Sequence, residues 1–138
     1  MNHHHILANC SEEQLSRLAI LVLQAYTAST IKLLSGPQRG LVMLRVRETI
    51  ADSSFNAGEI LVTEVKLEID GQFGFGMIIG DSPSRAMAIA LVDAALRKGE
   101  AVSTLLQEEL AELGRQLHLH HQRTYNLVAA TKVDFETM

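Results

Sequence analysis

The sequence predicts an α+β domain, an antiparallel sheet of three to four strands with helices packed against it. Three observations carry this. Apolar and polar residues alternate along two stretches, Leu41 to Ile50 and Glu59 to Ile69. An Asp70-Gly71 pair then leads into a return strand, Gln72 to Gly80. On either side lie segments whose apolar residues recur at helical spacing.

The elements follow in order. Ser11-Glu12-Glu13-Gln14 reads as a helix start, with Ser11 capping a backbone N–H and Gln14 at the reciprocal position of a capping box. Leu15, Leu18, Ala19, Val22 and Tyr26 continue it. The run Ala19 to Leu23 is apolar all round, which predicts burial on more than one side. Ser29 to Ser35 reads as a short strand ended by a turn at Gly36-Pro37. In the strand Leu41 to Ile50, Val42, Leu44 and Val46 face one way and Met43, Arg45 and Arg47 the other. Ala51 to Gly58 reads as a polar loop. In the next strand Leu61, Val65, Leu67 and Ile69 share a face, opposite Glu64, Lys66 and Glu68. The return strand places Phe73, Phe75, Met77 and Ile79 together.

Asp81-Ser82-Pro83-Ser84 opens a helix capped by Ser82 or Ser84. From Ala86 to Leu96 every residue but Asp93 is apolar, so this helix packs on the sheet and on a further element. A second helix is expected from about Val102 to His121. The apolar tail Asn126 to Met138 is expected to dock on the domain core or on a partner.

Bulk properties narrow the function. The 138 residues suit one domain, residues 1–138, and the 47% apolar and 20% charged composition is that of a globular chain. A net charge of −4 with scattered basic residues argues against a nucleic-acid binder. The single cysteine, Cys10, forms no internal disulfide, and no secretory leader is visible. The longest apolar stretch, Ala86 to Val92, is far short of the roughly 20 residues that span a bilayer. A cytoplasmic protein with no membrane partner is expected.

Candidate chemistry is sparse. His118 and His121 stand three apart on a helix, but a zinc site needs three or four ligands and no second pair completes the set. Neither a metal site nor a catalytic residue is assigned. Cys10 lacks a neighbouring base, and the glycines at Gly74, Gly76 and Gly80 alternate along a strand rather than line a phosphate turn. They suit close approach of a helix or another chain. Phe55, Asn56, Gly58 and Glu59 form the loop richest in ligand-binding residue types.

Several segments together resemble the G subunit of the bacterial carbon–phosphorus lyase core complex. They are Gly40-Leu41-Val42-Met43, Phe55-Asn56-Ala57-Gly58-Glu59 with Thr63, the Asp70-Gly71 hairpin, Ile78-Ile79-Gly80, Ala90 to Leu96, and the ending Thr131 to Met138. The resemblance spans roughly residues 6 to 138. Asp81 stands where the family tends to carry a basic residue, Arg85-Ala86-Met87 replaces its His-Ala-Glu triplet, and Glu136 replaces a second tail aromatic.

The resemblance implies a role in phosphonate catabolism. G, H, I and J subunits form a complex in which a phosphonate displaces adenine from C1 of the ribose of ATP, giving ribose 1-methylphosphonate 5-triphosphate. The nucleosidase chemistry is assigned mainly to the I subunit, and the J subunit later cleaves the carbon–phosphorus bond with an iron–sulfur cluster and S-adenosylmethionine. Phe55, Asn56, Gly58, Glu59 and Thr63, with Val133, Asp134 and Phe135 of the tail, become candidate ligand or interface residues.

The residues themselves favour an accessory role. Displacement at a nucleoside triphosphate needs cations around the phosphates and stabilisation of charge developing at C1. This chain has neither a Lys/Arg cluster nor a paired-carboxylate motif, and one cysteine cannot hold an iron–sulfur cluster. A subunit binding no cofactor alone, within a complex that uses Mg-ATP and with the I subunit as direct neighbour, is the first expectation. A small ligand-binding or regulatory module, and a self-sufficient enzyme using Phe55 to Glu59, are the alternatives.

Overall fold

The computed structural model describes residues 3–48 and 53–137, with side chains described for residues 3–43 and 58–126. Its elements are helices α1 (His3–Ala8) and α2 (Glu12–Ala25), a 3-10 turn (Ala28–Thr30), strands β1 (Ile31–Glu48), β2 (Ser53–Ile69) and β3 (Gln72–Ile79), and helices α3 (Pro83–Lys98) and α4 (Ala101–Thr137). The strands form one antiparallel sheet in the order β1-β2-β3. The α+β expectation therefore holds.

Local signals act as their chemistry requires. Ser11 and Gln14 form the reciprocal capping box, with Gln14 N–H donating to Ser11 Oγ at 3.2 Å and Ser11 N–H to Gln14 Oε1 at 2.9 Å. Asp70 (φ 47°) and Gly71 (φ 84°) make the two-residue turn that pairs Ile69 with Gln72. Gly99, left-handed at φ 71°, ends α3 after Arg97 and Lys98, whose charges complement the helix dipole.

The core lies between the sheet and α3. Val65, Leu67 and Ile69 of β2 face α3 and are buried. On β3 the glycines face it: a Cβ at Gly74 would stand 2.5 Å from both the Ala90 carbonyl and Ala94 Cβ, and one at Gly76 would stand 2.6 Å from Ala90 N. The alternating glycines thus admit the alanine-rich helix at backbone contact distance. Phe73, Met77 and Ile79 consequently occupy the outer, exposed face. α3 is also covered by α1, α2 and α4, and Ala88 to Ala95 are all buried.

Four expectations need correction. Gly36-Pro37 does not end a strand: β1 runs through it with register shifts between Leu33 and Ser35 and between Ser35 and Gln38. The irregularity fits because a Cβ at Gly36 would come within 2.5 Å of the Glu64 carbonyl on β2. The stretch expected as a polar loop is largely strand, since β2 begins at Ser53 and pairs Phe55 with Val46 and Gly58 with Leu44. Backbone pairing needs no apolar alternation, so the pattern missed it; residues 49–52 lie outside the described residues. The apolar run of α2 buries Leu18 and Val22, while Ile20 and Leu23 are about half exposed. Finally, α4 continues unbroken to Thr137 rather than ending near His121, and the tail's side chains lie outside the described residues. Among the described residues, no helix is long and apolar enough to cross a membrane.

Candidate functional site

Among the described residues, a polar cluster surrounds Asp93, the one polar interruption of the α3 apolar run. Its side chain is fully buried. A buried carboxylate requires partners, and four groups supply them. Phe75 N–H donates to Oδ2 at 2.8 Å across the β3–α3 contact. Arg97, one turn further along α3, brings Nε to 3.1 Å of both oxygens. His3 Nε2 lies 2.7 Å and His4 Nε2 3.1 Å from Oδ1.

The histidines arrive on α1, which the sequence did not announce. Six residues are too few for a helix to persist alone. Tertiary burial of Ile6 and Leu7 in the core holds it, and locally Cys10 Sγ donates to the Ile6 carbonyl at 3.2 Å. The imidazoles of His3 and His4 lie 4.4 Å apart, tilted by 36°. His5 points elsewhere, its ring 6.5 Å from that of His121 on α4.

The electrostatics follow from this packing. Burial would raise the pKa of Asp93, but the Phe75 N–H, the hydrogen bonds from His3 and Arg97 and the proximity of His4 together hold it below its ordinary value. Burial lowers the pKa of His4, against the pull of Asp93 and with help from His3 and Arg97. The donor atoms of His3, His4 and Asp93 all lie within 4.8 Å of one another, a set able to hold a metal ion. Beside them a cavity of about 500 Å³ opens between α1, α3 and α4, lined by His3, Ile6, Arg97, Gln107, Leu110 and Gly114 among others.

The residues singled out in the sequence lie apart from this cluster. Phe55, Asn56, Gly58 and Glu59 sit on β2, opposite Val46, Arg45, Leu44 and Met43. Gly58 and Glu59 are exposed, and the side chains of Phe55 and Asn56 lie outside the described residues. Thr63 is buried and ties two backbone segments together. Its hydroxyl donates to the Gly80 carbonyl at 2.6 Å and accepts Ser82 N–H at 3.1 Å. That clasp takes the place of the expected serine cap, since the Ser82 side chain makes no capping bond and Ser84 Oγ instead donates to Glu12 of α2. Val133, Asp134 and Phe135 lie in the last turns of α4, with their side chains outside the described residues.

Sequence reasoning missed His3, His4, Asp93 and Arg97. The signal available was Asp93 itself, the lone ionisable residue in the otherwise apolar run Ala86 to Leu96.

Comparison with known proteins places the chain. The family described as phosphonate metabolism protein PhnG matches residues 2–138. The chain is also similar to the α-D-ribose 1-methylphosphonate 5-triphosphate synthase subunit PhnG of Rhizobium meliloti (strain 1021), 33% identical over 106 residues. That match covers 75% of this chain and 66% of the relative, just under two thirds of its length.

Proposed function

The chain belongs to the PhnG family of phosphonate metabolism proteins, and from that premise we propose that it is a non-catalytic subunit of a ribose 1-methylphosphonate 5-triphosphate synthase. The assembly transfers a phosphonate to ribose C1 of Mg-ATP with release of adenine. Its partners are the H, I and J subunits, the I subunit being in direct contact.

The observation that carries this reading is the apolar surface of the sheet. Of the 14 large apolar side chains exposed among the described residues, nine lie on β1, β2 and β3. They occupy both faces of the sheet: Leu41 stands opposite Leu61 on the face that carries Leu67, whereas Phe73, Met77 and Ile79 lie on the outer face. Leu41 and Ile79 are 65% and 72% exposed. So many large apolar groups exposed on one sheet are poorly placed in an isolated chain and well placed in an obligate interface.

Adenine release from ATP in the presence of methylphosphonate tests the proposal. The complete co-expressed set is expected to turn over, the set lacking this chain is expected to be inactive, and the chain alone is expected to be inactive. Full turnover without this chain overturns the reading.

The cavity beside Arg97 favours a second reading, a small ligand-binding or regulatory module. Calorimetric titration of the lone chain with ATP or with methylphosphonate separates the two. Saturable binding supports the module, and its absence supports the accessory subunit.

A further inference from the structure

We propose that His3, His4 and Asp93 form a binding site for a divalent first-row transition metal ion, zinc foremost, with solvent or a small ligand completing the coordination. The inference is independent of the subunit reading and goes beyond it.

The geometry comes first. Two imidazole Nε2 atoms converge on the same carboxylate oxygen, at 2.7 and 3.1 Å. With metal–ligand bonds of about 2.0–2.2 Å, neighbouring ligand atoms stand about 2.9–3.5 Å apart. The two histidine–carboxylate separations therefore lie within a few tenths of an ångström of that range, and all three ligand atoms lie within 4.8 Å of one another. As proton donors alone, the two rings aim like-oriented N–H dipoles at one oxygen that Arg97 Nε also approaches at 3.1 Å. One divalent ion replaces both protons and satisfies all three ligand atoms at once.

The donor set and its support fit the same ion. Two imidazoles and a carboxylate are the ligands that zinc accepts in sites with an open position. The carboxylate is held from behind, with Oδ2 bound by the Phe75 N–H at 2.8 Å, the outer hydrogen bond that orients a metal ligand. The side chains of His3 and His4 keep 32% of their surface exposed, so the site has an entrance, and His3 also lines the neighbouring cavity.

The test must separate a built site from three adjacent histidines acting as a flexible chelator. The full chain, stripped with a chelator, is titrated with zinc by calorimetry and with Co²⁺ by visible absorption. One equivalent is expected, with the intense bands of a low-coordinate Co²⁺ site. His3→Ala, His4→Ala and Asp93→Asn are each expected to weaken binding at least about tenfold. His5→Ala, whose ring points at α4, is expected to leave binding unchanged. Because Asp93→Asn removes a buried charge, folding is checked by circular dichroism; if that variant is unfolded, the pair His4→Ala and His5→Ala decides. Equal losses in that pair, binding that survives Asp93→Asn in the folded chain, or no saturable binding to the unmodified chain each overturns the proposal.

Discussion

The carboxylate of Asp93 on α3 accepts the backbone N–H of Phe75 on β3 at 2.8 Å. It closes the sheet–helix contact from a fully buried carboxylate. Asp93→Ala would strand the Phe75 N–H and remove the counter-charge of Arg97. A loss of about 1–3 kcal/mol in folding stability is expected, because the Phe75 N–H is left without its acceptor while Arg97, about half exposed, stays solvated. Urea denaturation of metal-free protein measures it. A loss below about 1 kcal/mol would mean that water replaces the carboxylate freely.

The glycines beneath α3 give a second test. Gly76→Ala and Gly74→Ala each insert a methyl group against helix backbone, at Ala90 N and at the Ala90 carbonyl respectively. Overpacking of this kind costs typically about 1–3 kcal/mol, and backbone neighbours place these sites at the upper end. Gly40→Ala is the control, since nothing lies within 4 Å of its added Cβ. Its effect is expected within about 0.5 kcal/mol. Comparable midpoints for all three variants would contradict the packing described.

Thr63 separates structural from ligand-binding roles. Thr63→Val keeps the volume but leaves Ser82 N–H without its acceptor and the Gly80 carbonyl without its donor. A destabilisation of about 1–3 kcal/mol is expected, while Thr63→Ser recovers most of it. Adenine release by the assembled complex, measured well below the melting temperature, is expected to be unchanged in both. Lost activity with intact stability would place Thr63 at a ligand instead.

Cys10 provides a pH-dependent readout. Burial pushes its thiol pKa up, with Arg85 opposing. The native state thus keeps a proton that the unfolded chain releases. This contribution to stability is constant below the unfolded thiol pKa of about 8.5 and falls as pH rises past it. Modification of native protein by a thiol reagent is expected to be slow at neutral pH and to accelerate on unfolding. Rapid native modification at pH 7 would show an exposed, activated thiol.

What could be read from the chain was local. The Ser11–Gln14 capping box, the Asp70-Gly71 turn and the glycine face of β3 each involve residues a few positions apart, so spacing alone reveals them. The length of β1 was hidden because Gly36-Pro37 has turn-like composition, yet the strand continues through it with only a shift in register. The Asp93 cluster was hidden for a different reason. His3 and Asp93 are 90 residues apart, and their meeting depends on a six-residue helix that only tertiary burial sustains. Asp93 alone was conspicuous, and its helix gave no hint of which partners would reach it.

Whether this chain works as a subunit is decided by its solution mass, alone and co-expressed with the H, I and J subunits, using size exclusion with light scattering. One large, stable species containing this chain is expected, with weakened incorporation when Leu41 and Ile79 are replaced by polar residues. A chain that stays separate, folded and monodisperse in the presence of all three would contradict the subunit role.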